Sequence, residues 1–206
     1  MKLLVLGATG GCGRHFVRHA VARGHDVVSI VRRDVAVPGA IVRDDVLAAI
    51  PEAARGCDAV ISCLGIRRRW PRNPWSRMIS PPDFTSRAAA AIVAAARDAK
   101  IERVIAISAG GVADSWPRMS ALLRLVFAHS RIGDAYRDLA AMEAIYAASL
   151  LDWTCVRPTT LTDGRARGVR ETDRYPLTAM IPREAVALWM LDHLRDGART
   201  PMITAG

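Results

Sequence analysis

The sequence predicts an α/β fold: a doubly wound parallel sheet in a three-layer α/β/α arrangement, built as a single domain. Apolar runs of strand length alternate with helix-like stretches along the whole chain, the pattern of a sheet whose strands are joined by helices. The runs are almost uninterrupted in valine, isoleucine, leucine and alanine, so both faces of the sheet must be covered. At 206 residues the chain can bury a sizeable core within one domain.

The KLLVL run at residues 2–6 is the first strand, followed by a glycine-rich loop and a helix over 11–23 that Gly24 can end in a left-handed conformation. DVVSIV supplies a second strand at 26–31 and the short AIV a third at 40–42. A short helix over 46–54 leads to a fourth strand at 59–63. After the turn-forming SPP at residues 80–82, Asp83 or Thr85 starts a helix that runs to residue 99. This helix is nearly all alanine and small apolar residues, so it should pack closely against the sheet. A fifth strand at 103–107, a helix over 134–149, a sixth strand at 153–157, a helix over 183–195 and a strand at 201–204 complete the pattern. Two long irregular segments, 65–83 and 109–133, interrupt it, the second with room for a short helix at 120–127. Loops of this length in a compact domain usually carry function. There is no internal repeat or low-complexity tail.

The formal charge is +9 at pH 7 and is carried by arginine, the only lysines being Lys2 and Lys100. Such a balance can signal nucleic acid, but the arginines are scattered over every segment. A genome that favours arginine explains them, and no nucleic-acid partner is expected. No stretch reaches the roughly 18 consecutive apolar residues of a membrane span, and no charged leader precedes the first strand. A cytoplasmic protein with no membrane partner is expected. Cys12, Cys57, Cys63 and Cys155 lack CxxC spacing and lie mostly in or beside apolar runs, which reads as reduced, largely buried thiols. His15 and His19 share a helix face, yet no HExxH pattern or third ligand accompanies them, so no metal is expected.

Chemistry is concentrated in LGATGGCGRHF, residues 6–16. A strand, then GATGGCG, then a helix is the arrangement in which backbone amides at a helix N-terminus receive a diphosphate. Gly7 permits the tight turn, Gly10 lets the backbone approach the diphosphate, and Gly13 lets the helix sit close to the strand. Thr9, Gly11 and Cys12 complete the loop. This is the first unit of a dinucleotide-binding Rossmann fold; the alternative is that the glycines serve tight packing alone. At the end of the second strand, SIVRRD places Arg32 and Arg33 where the extra phosphate of NADP would lie, whereas an NAD enzyme has an acid there. NADP(H) is therefore preferred over NAD(H), although Asp34 follows directly and the arginines could instead line a solvated turn.

LGATGGCG, VRRD, RDDV at 43–46, DAVISCLG at 58–65 and LLDWTCVRPTTLTDG at 150–164 resemble the atypical short-chain dehydrogenase/reductases, the group with flavin reductase/biliverdin-IXβ reductase-like and NmrA-like proteins. The resemblance spans nearly the whole chain. It implies that Asp45 and Val46 lie by the adenine, that Cys63, Leu64 and Gly65 pass beneath the ribose and phosphates, and that Pro158, Thr159 and Thr160 border the nicotinamide. Where the biliverdin reductase-like proteins carry a histidine after paired prolines, this chain has Pro158, Thr159 and Thr160, so that histidine's role does not carry over. Glu143 resembles a glutamate in the helix before WTxxRP and is either a structural ion-pair partner, the preferred reading, or a site carboxylate.

Many short-chain dehydrogenases use a Tyr-x-x-x-Lys pair to deliver a proton as hydride arrives. Here Ala140, Leu150 and Ala179 stand four residues beyond Tyr136, Tyr146 and Tyr175, so that pair is absent. Hydride transfer to a flavin-like π-system asks for proximity and orientation more than for a strong acid. The sequence thus points to an NADPH-dependent reductase of a small conjugated acceptor of flavin, quinone, enone or tetrapyrrole type. Ser108, in AISAGG, matches the family's Ser/Thr position and is the candidate catalytic donor, unless it merely closes a turn. Arg67, Arg68, Arg69, Arg72 and Arg77, with Trp70 and Trp75, form either a lid for a planar, anionic acceptor or a solvated loop or oligomer contact. The portion from residue 158 to 206 leaves room only for a small substrate-binding part, and the protein would be a monomer or homodimer. Two other readings stay open: an NADP-sensing regulator without turnover, and an isomerase or biosynthetic tailoring enzyme on the same fold.

Overall fold

The computed structural model describes residues 1–70 and 73–206. Strand β1 (Lys2–Leu6) lies inside an eight-stranded sheet, and its alternating side chains feed two separate cores. Leu3 and Val5 enter the core shared with α1 (Gly13–Ala22) and α6 (Arg183–Asp192), while Leu4 and Leu6 enter the core on the opposite face. That second core is closed by α2 (Ile50–Ala53), α3 (Phe84–Ala99) and α5 (Arg131–Ala147). Three layers result, as the unbroken apolar strands require.

The remaining strands are β2 (Asp26–Val31), β3 (Ala40–Val42), β4 (Ala59–Ser62), β5 (Arg103–Ile107), β6 (Asp152–Pro158), β7 (Thr160–Thr162), β8 (Val169–Glu171), β9 (Met180–Pro182) and β10 (Met202–Ala205). The main sheet has the order β3-β2-β1-β4-β5-β6-β10-β8, parallel except where β8 joins β10. Strand order reverses between β1 and β4, and a crevice opens at the carboxyl ends there, the site where open α/β sheets bind ligands.

Several expected boundaries move for local reasons. Residues 46–49 form a turn, because Asp45 accepts from the Leu47 and Ala48 amides at 3.0 and 3.1 Å, and α2 shrinks to one turn. Val46 is therefore not helical. The 65–83 segment contains an antiparallel bridge between Arg68 and Met78, so it folds back as a ribbon. The 109–133 segment holds a 3₁₀ turn, Ala113–Arg118, and α4 (Ala121–Ala128), whose Ser120 hydroxyl caps the Leu123 amide. The short strands β7, β8 and β9 carried no sequence signal strong enough to predict them. Among the described residues no helix is long and apolar enough to cross a membrane.

Candidate functional site

The glycine loop turns sharply at Gly7, whose φ of +75° suits glycine. A Cβ there would come within 2.7 Å of the Cys63 carbonyl oxygen, so Cys63 and Leu64 lie directly against the turn. Gly13 is under a stricter constraint, since a Cβ would stand 2.1 Å from the Gly7 carbonyl oxygen. Gly10 closes the turn by donating from its amide to Gly7 at 2.9 Å.

Helix α1 begins without a capping side chain and without an acid in its first turn. Among the described residues, the Gly11, Cys12 and Gly13 amides have no carbonyl acceptor. These donors and the helix dipole fit an anion. Burial pushes the Cys12 thiol up to about 11 and Cys63 well above its ordinary value, so both remain neutral beside the cradle. All four cysteines are free; Cys12, Cys57 and Cys155 are buried and Cys63 is half-buried.

Tertiary packing brings in a cation that local spacing did not announce. Arg183, the first residue of α6, crosses the glycine loop so closely that a Cβ on Gly11 would meet its Cδ at 2.5 Å. Its Nη1 donates to Asp163 at 2.9 Å. Beside it, Glu184 accepts from Arg18 and, on Oε2, from the Ala166 amide at 3.1 Å, with His19 Nε2 at 2.9 Å and His15 Nδ1 at 3.9 Å. The two histidines of α1 therefore meet a carboxylate that ties α1, α6 and the 163–168 loop together.

Arg32 and Arg33 follow β2, next to β1 in register, and are exposed with no carboxylate partner among the described residues. Asp34 is exposed too. Asp45 spends one carboxylate oxygen on its own turn, so what it offers beyond that turn is its second oxygen and its backbone.

Ser108 extends β5 by donating its amide to Val156 at 2.7 Å. Its hydroxyl is buried and has no hydrogen-bond partner, an orphaned donor at the mouth of the crevice. Gly110, two residues on, donates to the Pro158 carbonyl at 2.8 Å, which sets this turn against the end of β6. Thr159 is buried and donates to Thr204 at 3.2 Å, while the exposed Thr160 shares a 3.0 Å hydrogen bond with Tyr175. Gly65 is exposed at the end of the Cys63–Leu64 segment.

Tyr136 donates to the Gly110 carbonyl at 2.8 Å, and burial holds its phenol well above the ordinary range. Lys2 starts β1 at the amino end of the parallel strands and Lys100 caps α3, so no ammonium attends this phenol. Glu143 is an ion-pair partner: it takes two hydrogen bonds from Arg157, at 3.0 and 2.6 Å, with both side chains buried. In the arginine ribbon, Trp75 donates to the His129 carbonyl at 2.9 Å, Arg69 lies 5.7 Å over Trp70, and Arg68 donates to Asn73 at 2.8 Å. Arg72 lies outside the described residues.

The residues present fit a nicotinamide dinucleotide: a cradle of free amides, glycines whose Cβ atoms would fill it, and an unpaired hydroxyl at the far side. Comparison with known proteins agrees. The chain is similar to the structure of ChuY, an anaerobilin reductase from Escherichia coli O157:H7, with 22% identity, a TM-score of 0.78, and 99% of this chain and 97% of that one covered. It is similar also to the oxidoreductase ylbE from Lactococcus lactis, with 18% identity, a TM-score of 0.74, and 100% and 91% coverage. These likenesses establish the fold. A sequence comparison with the curated proteins found no match. A family model for NAD(P)H-binding proteins matches residues 7–197, and the chain belongs to that NAD(P)H-binding family.

Proposed function

We propose that the protein is an NADPH-dependent reductase that passes hydride to a small, planar, conjugated acceptor. The observation that carries this reading is the orphaned Ser108 hydroxyl, set across the crevice from the uncapped amides of α1. The nicotinamide supplies hydride when bound. The amides of Gly11, Cys12 and Gly13 hold its diphosphate with Arg183 alongside, and the unpaired Arg32 and Arg33 hold the 2′-phosphate, which favours NADPH over NADH. Ser108 donates a hydrogen bond to nicotinamide or acceptor.

Tyr136 is committed to the Gly110 carbonyl and has no lysine beside it, so it is not set up as the acid that reduction of an isolated carbonyl needs. Hydride delivered to an extended π-system leaves its charge delocalised, and water can provide the proton. Residues 158–206 supply the acceptor's side of the site. Four free thiols suit a reducing cytoplasm. The likeness to ChuY, an anaerobilin reductase, supports the same class of chemistry.

Calorimetry with NADPH and NADH tests the first half. NADPH should bind more tightly, and Arg32→Ala/Arg33→Ala should remove about tenfold or more of that preference while leaving NADH unchanged. Mixing the protein and NADPH with flavins, quinones and enones tests the second half by loss of the reduced nicotinamide's absorbance. Tight NADPH binding with no oxidation across the panel would favour a non-catalytic sensor.

A further inference from the structure

The ribbon that follows β4 turns a charged face outward. Arg68 is bridged to Met78, the Arg69 amide donates to the Arg77 carbonyl at 3.0 Å, and the Ile79 amide donates to the Arg67 carbonyl at 2.7 Å. This register sets Arg69 opposite Arg77 and Arg67 opposite Ile79. Side-chain alternation places those four on one side with Trp75, and all five are exposed, whereas Arg68 and Met78 are half-buried and Ser76 is buried. Two arginines directly opposite each other repel. Neither of them, nor Arg67, has a carboxylate partner among the described residues. The ribbon thus carries a like-charge pair that an external anion would relieve.

An apolar face adjoins it. The ribbon tip is fixed to the end of α4, because Trp75 Nε1 donates to the His129 carbonyl at 2.9 Å and the Arg131 amide donates to the Pro74 carbonyl at 3.1 Å. Leu123 and Phe127 of α4 pack with Met119 and Tyr175, which leaves Ala121, Leu122, Leu125 and Ala128 exposed along one side of the helix. His129 Nδ1 lies 2.9 Å from the Leu125 carbonyl oxygen, so this side runs on to Trp75. Leu122, Leu125, Trp70, Trp75 and Ile79 are each more than half exposed.

Arginines occur in every part of the chain, but acids do not. Residues 65–80 and 116–131 hold eight arginines and no aspartate or glutamate, in a chain whose formal charge is +9. Asp134, beside the junction of ribbon and helix, is already shared by Arg131 at 3.3 Å and Arg137. A second copy docked by a two-fold axis would bring the same arginines against themselves. A nucleic acid would meet the charge but leave Leu122, Leu125 and Ile79 unused. Basic, indole and aliphatic side chains together match an anionic lipid surface, where indoles sit at headgroup level and aliphatic groups reach the acyl chains. The expectation of no membrane partner rested on the lack of a spanning run, which does not bear on a protein that lies on the bilayer surface.

We infer that the outer face of the ribbon and the exposed side of α4 seat the protein on an anionic bilayer, with Arg67, Arg69 and Arg77 at lipid phosphates and Trp75, Leu122 and Leu125 between the headgroups. Cosedimentation with vesicles tests this. The protein should bind vesicles of phosphatidylcholine and phosphatidylglycerol in equal parts, bind phosphatidylcholine alone far more weakly, and come off as salt is raised. Arg69→Ala/Arg77→Ala should weaken binding about tenfold or more, and Leu122→Ser/Leu125→Ser about tenfold. Both pairs are substantially exposed, so the urea midpoint should not fall. Arg87→Ala/Arg97→Ala removes the same charge from the exposed side of α3 and should change little. No binding to the mixed vesicles, or equal weakening by the α3 variant, would overturn the inference. So would tighter binding to a single-stranded polynucleotide that the leucine variant leaves unchanged, which would make the partner a nucleic acid. Light scattering that shows a dimer split by Leu122→Ser/Leu125→Ser would make it a second copy and overturn the bilayer equally.

Discussion

Asp138 of α5 caps α3 from the neighbouring helix: its carboxylate accepts from the Thr85 amide at 2.8 Å, the Ser86 amide at 3.0 Å and the Thr85 hydroxyl. The carboxyl group is buried, and the N-terminal donors of α3, otherwise without partners inside the helix, meet it there. Asp83, at the position preceding the helix, makes no such bond with its side chain. Asp138→Ala should cost about 2–4 kcal/mol, because it removes a cap and leaves buried donors unpaired. A lowered urea midpoint with an unchanged slope would register this, and unchanged stability would contradict the capping role.

Gly13→Ala should impair folding and cofactor binding together. The added Cβ would stand 2.1 Å from the Gly7 carbonyl oxygen, a backbone atom that cannot rotate aside. Moving α1 outward would displace the amides that form the cradle. The variant should melt at lower temperature and lose tenfold or more in NADPH affinity by calorimetry. Alanine at Gly24, where no atom lies within 4 Å, meets no contact of this kind and pays only for its positive φ.

Breaking the Glu143–Arg157 pair should be more damaging than the loss of two surface hydrogen bonds, because both side chains are buried. Glu143→Ala would leave the buried Arg157 guanidinium with Asp114, at 2.8 Å but largely exposed, as its remaining acid. A cost of about 3–5 kcal/mol is expected. Glu143→Gln, which keeps an acceptor, should lose less, and chemical denaturation of the two variants would separate charge from hydrogen bonding.

Glu184 should give the protein an acid-sensitive seam. The hydrogen bond with His19 is the main cause that holds its carboxyl below the usual glutamate range, followed by the Ala166 amide. Its contribution to stability is complete above the unfolded-state value, about 4.3, and falls away as pH drops through the lower folded-state value. Glu184→Gln should therefore lower the urea midpoint at pH 7 by a margin that shrinks toward pH 3. A constant margin across that range would mean that the ionised form contributes nothing special. The carboxylate is partly solvated, so the effect should be modest.

Most of the architecture is legible from neighbouring residues. β1, β2 and β5 begin and end where the apolar runs do, since a strand covered on both faces needs uninterrupted apolar side chains, and the short run of β3 marks its bounds too although that edge strand is largely exposed. The glycine turn is also local: Gly7 and Gly13 are needed by a bend only a few residues long. Less visible was α2, where Asp45 outcompeted the helix for two amides, and β7, β8 and β9, each too short to show a period.

The order of residues was sufficient for the alternating layers and for the sharp glycine turn after the first strand, because burial period and turn chemistry act over a few positions. Folding in three dimensions settled which distant groups meet: Arg183 over Gly11, Asp138 on Thr85, and Glu184 between two histidines and a loop amide. Such pairs join helices and loops far apart along the chain, and no periodicity records them, since charges find their partners only after the apolar faces have packed.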